Sequence, residues 1–560
     1  MTPSSAPPSA SPYAARPWLG RLSPAQLAPV TPPASVLHAF RAAVARAPGR
    51  TALAYFDGRI GYAEADALSD SLAGYLAGRG ARRGDRVAVM LQNTPHFVLA
   101  VLAAWKAGAV VVPLNPMYKA GEAGHVLRDS GAVALVCGAA AWEEYLRDAV
   151  DGSAVRTVLT ARPTDFQTRD DPRVLPPRVP DQVGAPGAAD LLDVARRGHP
   201  APAGPGPAAA DTALISYTSG TSGTPKGAMN PHGAITYNAT RQVTGHPVPE
   251  GAGYFALAPL FHITGLVCEL AACFVNAGTL VLAHRFHPGA VLDAFLEHRP
   301  AYTIGPATAF TALAAHPDAT RDHFASFQVI SSGGAPLPPA LVERLRASFG
   351  FYLRNGYGLT ECTAPCASVP AHLEAPVDPA TGTLSVGVPG AQTLVRVLDE
   401  HGAELPLGET GEIAVRGPQV VPGYWGLPDA TAAAFPDGEL RTGDVGFMDA
   451  DGWLYVVDRK KDMINASGFK VWPREVEDVL YSHPAVREAA VVGVPDAYRG
   501  ESVKAYVSLR PGASAEPAEI TAYCAERLAA YKYPREVEIL PVLPQTTSGK
   551  ILRRELRDRG

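Results

Sequence analysis

Cysteine is scarce in this chain, with six in 560 residues. That is too few for a disulfide framework, and the expected compartment is the reducing cytoplasm. The closest pair, Cys362 and Cys366 in ECTAPC, has no second Cys or His pair at metal spacing beside it, which argues against zinc. Long apolar runs are also missing. The strongest, FVLAVLAAW at 97–105, is nine residues long and ends at Lys106, whereas a membrane span needs about twenty. No transmembrane helix is expected. The first residues, MTPSSAPPSASPYAARPWLG, lack the apolar stretch of a signal peptide. Neither sign of charge dominates: 49 basic and 54 acidic residues leave a net charge of −5. Nothing therefore points to nucleic acid or to an anionic membrane surface.

Hydrophobic residues make up 47% and charged residues 18% of the chain, the balance of a globular protein. Its length suggests about three or four structural units. Residues 1–33 are rich in Pro, Ser and Ala and read as a disordered tail. RVAVML at 86–91, TPHFVLAVLAAWKAGA at 94–109 and VVVPLN at 110–115 read as strand, helix and strand. That succession is a βαβ unit and implies a parallel sheet. A Pro/Ala/Gly stretch at 198–212 reads as a linker to a second alternating segment, with TLVLA at 279–283 and FQVISSGGAP at 327–336 as strand units. After about 385 the pattern becomes short strands and turns: LVRVLD, GEIAVRG and GWLYVVD. The last hundred residues alternate amphipathic helices (REVEDVL, AEITAYCAERLAAY) with strands. The expected fold is α/β. A large N-terminal domain at 34–458 would hold two βαβ-type subdomains and a small β-rich one, followed by a small α+β domain at 459–560.

The loop YTSGTSGTPKG at 217–227 carries three Gly, five Ser/Thr hydroxyls and one Lys. Glycines let the backbone turn, and N–H groups with hydroxyls can then converge on phosphate oxygens. A P-loop needs Gly before its Lys and Ser/Thr after it. Here Pro225 precedes Lys226 and Gly227 follows, so this is a different phosphate loop. Further along stand APLFHITG at 258–265, SSGGAP at 331–336 and NGYGLTE at 355–361. They are followed by RTGDVG at 441–446, DRKKDMINASGFKVWPREVE at 458–477 and PQTTSGKILRREL at 544–556.

In this order, over roughly residues 35–556, the motifs resemble those of the adenylate-forming superfamily: acyl-CoA synthetases, luciferases and peptide-synthetase adenylation domains. The likeness is greatest to bacterial fatty-acid and aryl-acid CoA ligases. Ser222 stands where that family usually has Thr, and GPATAF at 305–310 departs from its more usual Val-Pro form.

The resemblance implies ATP as substrate, Mg²⁺ as cofactor and CoA as co-substrate. Thr218, Ser219, Gly220, Thr221, Ser222, Gly223, Thr224 and Lys226 would hold the β- and γ-phosphates. Gly333, Gly334, Ala335, Tyr357 and Gly358 would border the adenine, Thr360 would bond a phosphate, and Glu361 would hold Mg²⁺, which prefers hard oxygens. Asp444 and Arg459 would take the ribose. Lys461 matches the hinge, and Gly468 the face used for thioester formation. The implied catalytic set is Lys550, His262, Thr218 and Glu361. Phe261, Thr264, Val267, Gly305, Ala307, Thr308, Gly333 and Ala364 would line the acyl pocket, and none is charged, which disfavours an amino-acid substrate. A fatty acid is the first expectation and an aryl acid the second. The same motifs fit ATP-dependent activation of nitrite for aryl-amine diazotisation in specialised metabolism, or a silent nucleotide-binding homologue.

Overall fold

The structure, a computed structural model, describes residues 11–177, 185–218, 225–459, 462–466, 469–496, 500–546 and 550–559. Ser219, Gly220, Thr221, Ser222, Gly223, Thr224, Lys461 and Gly468 lie outside the described residues.

Among the described residues the strands form four sheets. In the first, Arg86–Met90 lies between Val110–Pro113 and Ala132–Gly138, all parallel. The βαβ unit read from the sequence is present, with its helix at Pro95–Lys106. Every residue of that helix is buried, which is why its pattern is a continuous apolar run and not a stripe.

The chain does not fill one sheet before starting the next. Thr51–Tyr55 pairs with Thr279–Leu282 in a nine-stranded sheet, although the intervening chain builds the seven-stranded one. Thr212–Thr218 joins the first sheet, parallel to Val110–Pro113, and Lys226–Pro231 closes that sheet's edge. The 198–212 stretch therefore does not separate two subdomains. It joins the helix Leu191–Arg196 to a strand of the sheet that this helix follows. The core of the second sheet runs parallel through Gly253–Phe255, Tyr302–Gly305, Val329–Gly333 and Leu353–Leu359. Its strand ends carry the site described below.

The third sheet is antiparallel: Leu394–Leu398, Gly411–Arg416, Leu440–Met448 and Leu454–Arg459. The fourth, built on the long hairpin Val486–Asp496 and Gly500–Leu509, packs its own apolar group around Val476, Leu480, Val491 and Ile520.

The reading of 1–33 as a disordered tail fails from residue 11 onward. Tyr13 and Trp18 are completely buried against the third sheet. The Tyr13 hydroxyl donates to the Leu405 carbonyl at 3.0 Å, and Arg16 donates to the Ala391 carbonyl at 2.7 Å. Gly452, at φ +85°, leaves room for Trp18, whose backbone nitrogen would lie 2.3 Å from any Cβ there. Two aromatic anchors outweigh a composition that otherwise reads as tail.

Candidate active site

Strands Thr212–Thr218 and Lys226–Pro231, which flank the hydroxyl-rich loop in sequence, pair antiparallel. Thr218 and Lys226 face each other where the strands meet it, and the Thr218 hydroxyl donates to the Lys226 carbonyl at 3.4 Å. The Lys226 ammonium stands 5.1 Å from the centre of the Tyr424 ring. The Tyr424 hydroxyl donates to Glu361 Oε1 at 2.9 Å. Burial, with the Glu361 charge next, pushes the Tyr424 phenol upward and keeps it a donor. The segment around Tyr424 is pinned by Trp425 N–H to the Gly227 carbonyl at 2.8 Å and Val421 N–H to the Glu361 carbonyl at 2.9 Å. One tyrosine thus joins the loop lysine to the acid that follows GYGLT. Sequence reading passed over it; the glycine-flanked GYWG at 423–426 was the available signal.

Glu361 owes its position to an awkward backbone. After strand Leu353–Leu359, residues Thr360–Cys362 form a 3-10 turn. Thr363 (φ 53°) and Ala364 (φ 74°) then sit in the left-handed region. For a β-branched residue this costs on the order of 1–3 kcal/mol. Two buried asparagines hold it. Asn230 donates to the Thr360 carbonyl at 2.9 Å and the Thr363 hydroxyl at 3.1 Å; Asn238 donates to the Thr363 carbonyl at 2.7 Å. The turn folds back on Gly358, where a Cβ would lie 2.1 Å from the Ala364 carbonyl oxygen. Gly358 is therefore needed for packing whatever it does toward a nucleotide.

Asp444 and Arg459 face each other on neighbouring strands, with Arg459 Nε 3.3 Å from Asp444 Oδ1. Tyr357 donates its hydroxyl to Asp444 Oδ2 at 2.8 Å, which fixes the ring. Burial raises the Asp444 carboxyl, while Arg459 and the Tyr357 hydrogen bond oppose that shift.

Lys550 reaches this same place from the C-terminal end of the chain. Its Cε lies 3.5 Å from where a Cβ on Gly334 would stand, and Gly334 has φ +81°. The dihedral, and not the space, favours glycine there. The Lys550 ammonium is lowered to about 8 by burial and then by Arg459, against the pull of Asp444 and Glu361. His262 is lowered to about 4, first by burial and then by the Lys550 charge, so it is neutral near pH 7. Its Nδ1 accepts the Thr264 N–H at 3.3 Å. The structure thus brings Lys550, His262, Glu361, Asp444, Arg459 and Gly334 together.

The acyl-pocket set is split. Val267 and Ala364 belong to one packed group, with Phe261 against it. Ala307 instead packs in a separate group with Leu257, Phe310 and Leu313. Gly305 lies at the boundary, where a Cβ would meet Leu257 Cδ2 at 2.6 Å. Ala307 starts the helix Ala307–Ala314, and its turn away from the strand end carries its methyl to the other layer. Thr308, next in that helix, is half-buried, as is Thr264.

Sequence reading also missed the clamp behind Lys550. Arg553 Nη1 lies 2.9 Å from Asp458 Oδ1, and its Nε and Nη2 meet the two Glu477 oxygens at 3.1 and 2.7 Å. Asp458 immediately precedes Arg459, so this cluster ties the helix after Lys550 to the strand that carries Arg459.

Residues 40–425 match the family model described as AMP-binding enzyme, and 475–550 match the AMP-binding enzyme C-terminal domain. A feruloyl-CoA synthase from an Amycolatopsis species is 37% identical over 514 residues, covering 91% of this chain and 96% of that protein. A long-chain-fatty-acid–CoA ligase of Salmonella typhimurium is 36% identical over 563 residues, covering 97% and 98%. The crystal structure of the anthranilate CoA ligase AuaEII with anthranoyl-AMP superposes with a TM-score of 0.85 at 26% identity, over 95% of this chain and 98% of that one. With these matches running nearly end to end, the chain belongs to the AMP-binding enzyme family and is an AMP-forming ligase of the acyl-CoA synthetase type.

Proposed function

We propose that this ligase joins a carboxylic acid to CoA in two steps at the site around Lys550. The observation that carries the reading is the meeting of Lys550 with Gly334, His262, Asp444 and Arg459 at one point, beside the Lys226–Tyr424–Glu361 chain.

Lys226, Thr218 and the loop residues 219–224 hold the β- and γ-phosphates. Asp444 accepts from the ribose hydroxyls, backed by Arg459, and Tyr357 with Gly333, Gly334 and Ala335 borders the adenine. The Glu361 carboxylate, oriented by Tyr424, would offer Mg²⁺ a hard oxygen, and Thr360 would bond the same phosphates. When bound, Mg²⁺ neutralises phosphate charge. Lys550 bridges the acid's carboxylate and the α-phosphate, lowering their repulsion. A carboxylate oxygen then attacks the α-phosphorus, the bridge to the β-phosphate breaks, and pyrophosphate leaves with the electron pair. Such transfer depends on positioning and charge stabilisation. In the second step a thiol sulfur attacks the acyl carbon, AMP leaves, and the thiol proton passes to solvent.

The domain division at 458/459 fits a lever. The C-terminal part presents Lys550 for adenylation, then turns about Lys461 to present the Gly468 face for thioester formation. A pyrophosphate-release screen over fatty and aryl acids, with and without CoA, tests the reading. Acid-dependent release with acyl-CoA as product supports it. Release that depends on nitrite and an aryl amine, and on no acid, overturns it.

A further inference from the structure

Glu269 is completely buried, and no step above uses it. It stands on the π-helical turn Gly265–Ala271, which follows the His262 loop; such turns recur at functional sites. Its Oε1 accepts three backbone N–H groups: Leu257 at 3.1 Å, Ala258 at 3.3 Å and Ile304 at 3.3 Å. Those groups lie where the paired strands Gly253–Phe255 and Tyr302–Gly305 end. The carboxyl therefore sits under the wall made by the His262 loop on one side and Gly305 on the other. The helix start is pressed onto that loop, because a Cβ on Gly265 would lie 2.4 Å from the Pro259 carbonyl oxygen.

The second oxygen, Oε2, is buried and has no hydrogen-bond partner. Gln242, bonded to the neighbouring Cys268 carbonyl at 3.3 Å, also donates to the Tyr302 hydroxyl. Ser332, paired in register with Gly305, also has an unpartnered buried hydroxyl. Burial pushes the Glu269 carboxyl well upward. That shift favours the protonated form, and with Oε1 taken up by three N–H donors the position left open is Oε2. A site lined only for hydrocarbon has no use for such a group, since an unmet buried polar atom is costly.

Resting on the acid-ligase reading, we propose that Glu269 is a specificity residue whose Oε2 bonds an oxygen substituent on the acid. The preferred substrate is then an oxygen-substituted aromatic acid and not a plain hydrocarbon chain. A rigid planar acid holds such an oxygen at a fixed reach from its carboxylate, and a flexible chain does not. A pocket that hydrogen-bonds a substrate hydroxyl discriminates strongly against the analogue without it.

The test compares cinnamate, 4-hydroxycinnamate and decanoate by kcat/KM for pyrophosphate release in the wild type, Glu269→Gln and Glu269→Leu. The wild type should favour 4-hydroxycinnamate over cinnamate by at least about tenfold, the scale of one hydrogen bond. Glu269→Gln keeps a carbonyl for the N–H groups and a donor beside it, so the preference should survive. Glu269→Leu should abolish it through the hydroxylated acid alone. Equal losses on all three acids in both variants, or a wild type without preference, overturn the inference while leaving the ligase reading intact. No release by the wild type with any acid of a wider panel overturns both.

Discussion

Tyr424→Phe removes one oxygen from the chain of contacts that runs from Lys226 to Glu361. The hydroxyl lost is the donor at 2.9 Å to Glu361 Oε1, while the ring stays beneath the Lys226 ammonium at 5.1 Å. A hydrogen bond to a charged partner is worth about 1.5–3 kcal/mol. Glu361 is half-buried, so water can partly replace the donor, and the lower end applies. That corresponds to roughly a tenfold loss in kcat/KM for ATP in the adenylation step. The loss should come with a raised Mg²⁺ concentration at half-saturation, because Glu361 is no longer held in one orientation. Tyr424→Ala removes the ring as well and forfeits a further ~0.5–2 kcal/mol of cation–π attraction, so its loss should approach a hundredfold. The assay is acid-dependent exchange of labelled pyrophosphate into ATP across a magnesium titration. Thioester formation from supplied acyl-adenylate is the control, since Glu361 has no part in it. If Tyr424→Phe stays within twofold of wild type at every Mg²⁺ concentration, Tyr424 does not orient Glu361 and the reasoning is refuted.

Three further outcomes follow from the geometry. With Lys550 lowered to about 8, kcat/KM for adenylation, which reports the free enzyme, should fall as pH rises through about 8 and the ammonium is lost. Lys550→Arg should move that limb upward. The sign for stability is opposite: the cost of burying the Lys550 ammonium is fully present below about pH 8 and is relieved as pH rises from there toward 10.5, where the unfolded group also loses its proton. Arg553→Ala strips the partner from the buried Asp458 and Glu477 carboxylates. It should cost about 3–5 kcal/mol in a denaturant melt and slow adenylation more than thioester formation. Trp18→Ala should cost about 3–5 kcal/mol, seen as a lower melting temperature; a tail without structure would show no change.

What could be read from the sequence was local. RVAVML, the apolar helix and VVVPLN lie within thirty residues, and burial on both faces makes them continuous apolar runs. The nucleotide motifs were legible for a similar reason, since each is one short continuous stretch of chain. Pairings across long stretches of chain were not. Thr51–Tyr55 beside Thr279–Leu282 leaves no mark on either segment, so the linker reading of 198–212 drew a division that the sheets ignore. Tyr424 meets Glu361 only through folding, and its residue type is equally at home in a core. Tyr13 and Trp18 were hidden by the Pro, Ser and Ala around them. Glu269 is least legible of all, because an acid in GLVCELAACF interrupts an apolar run for no reason visible in the run itself.

The central claim is that Lys550 serves the first half-reaction and not the second. The direct measurement is Lys550→Ala in two separate assays, acid-dependent pyrophosphate release and CoA thioester formation from supplied acyl-adenylate. The account predicts a loss of about a hundredfold or more in the first, the scale of removing one preorganised charge-stabilising group, with the second close to wild type. Equal losses in both assays, or an unchanged first half-reaction, would contradict it.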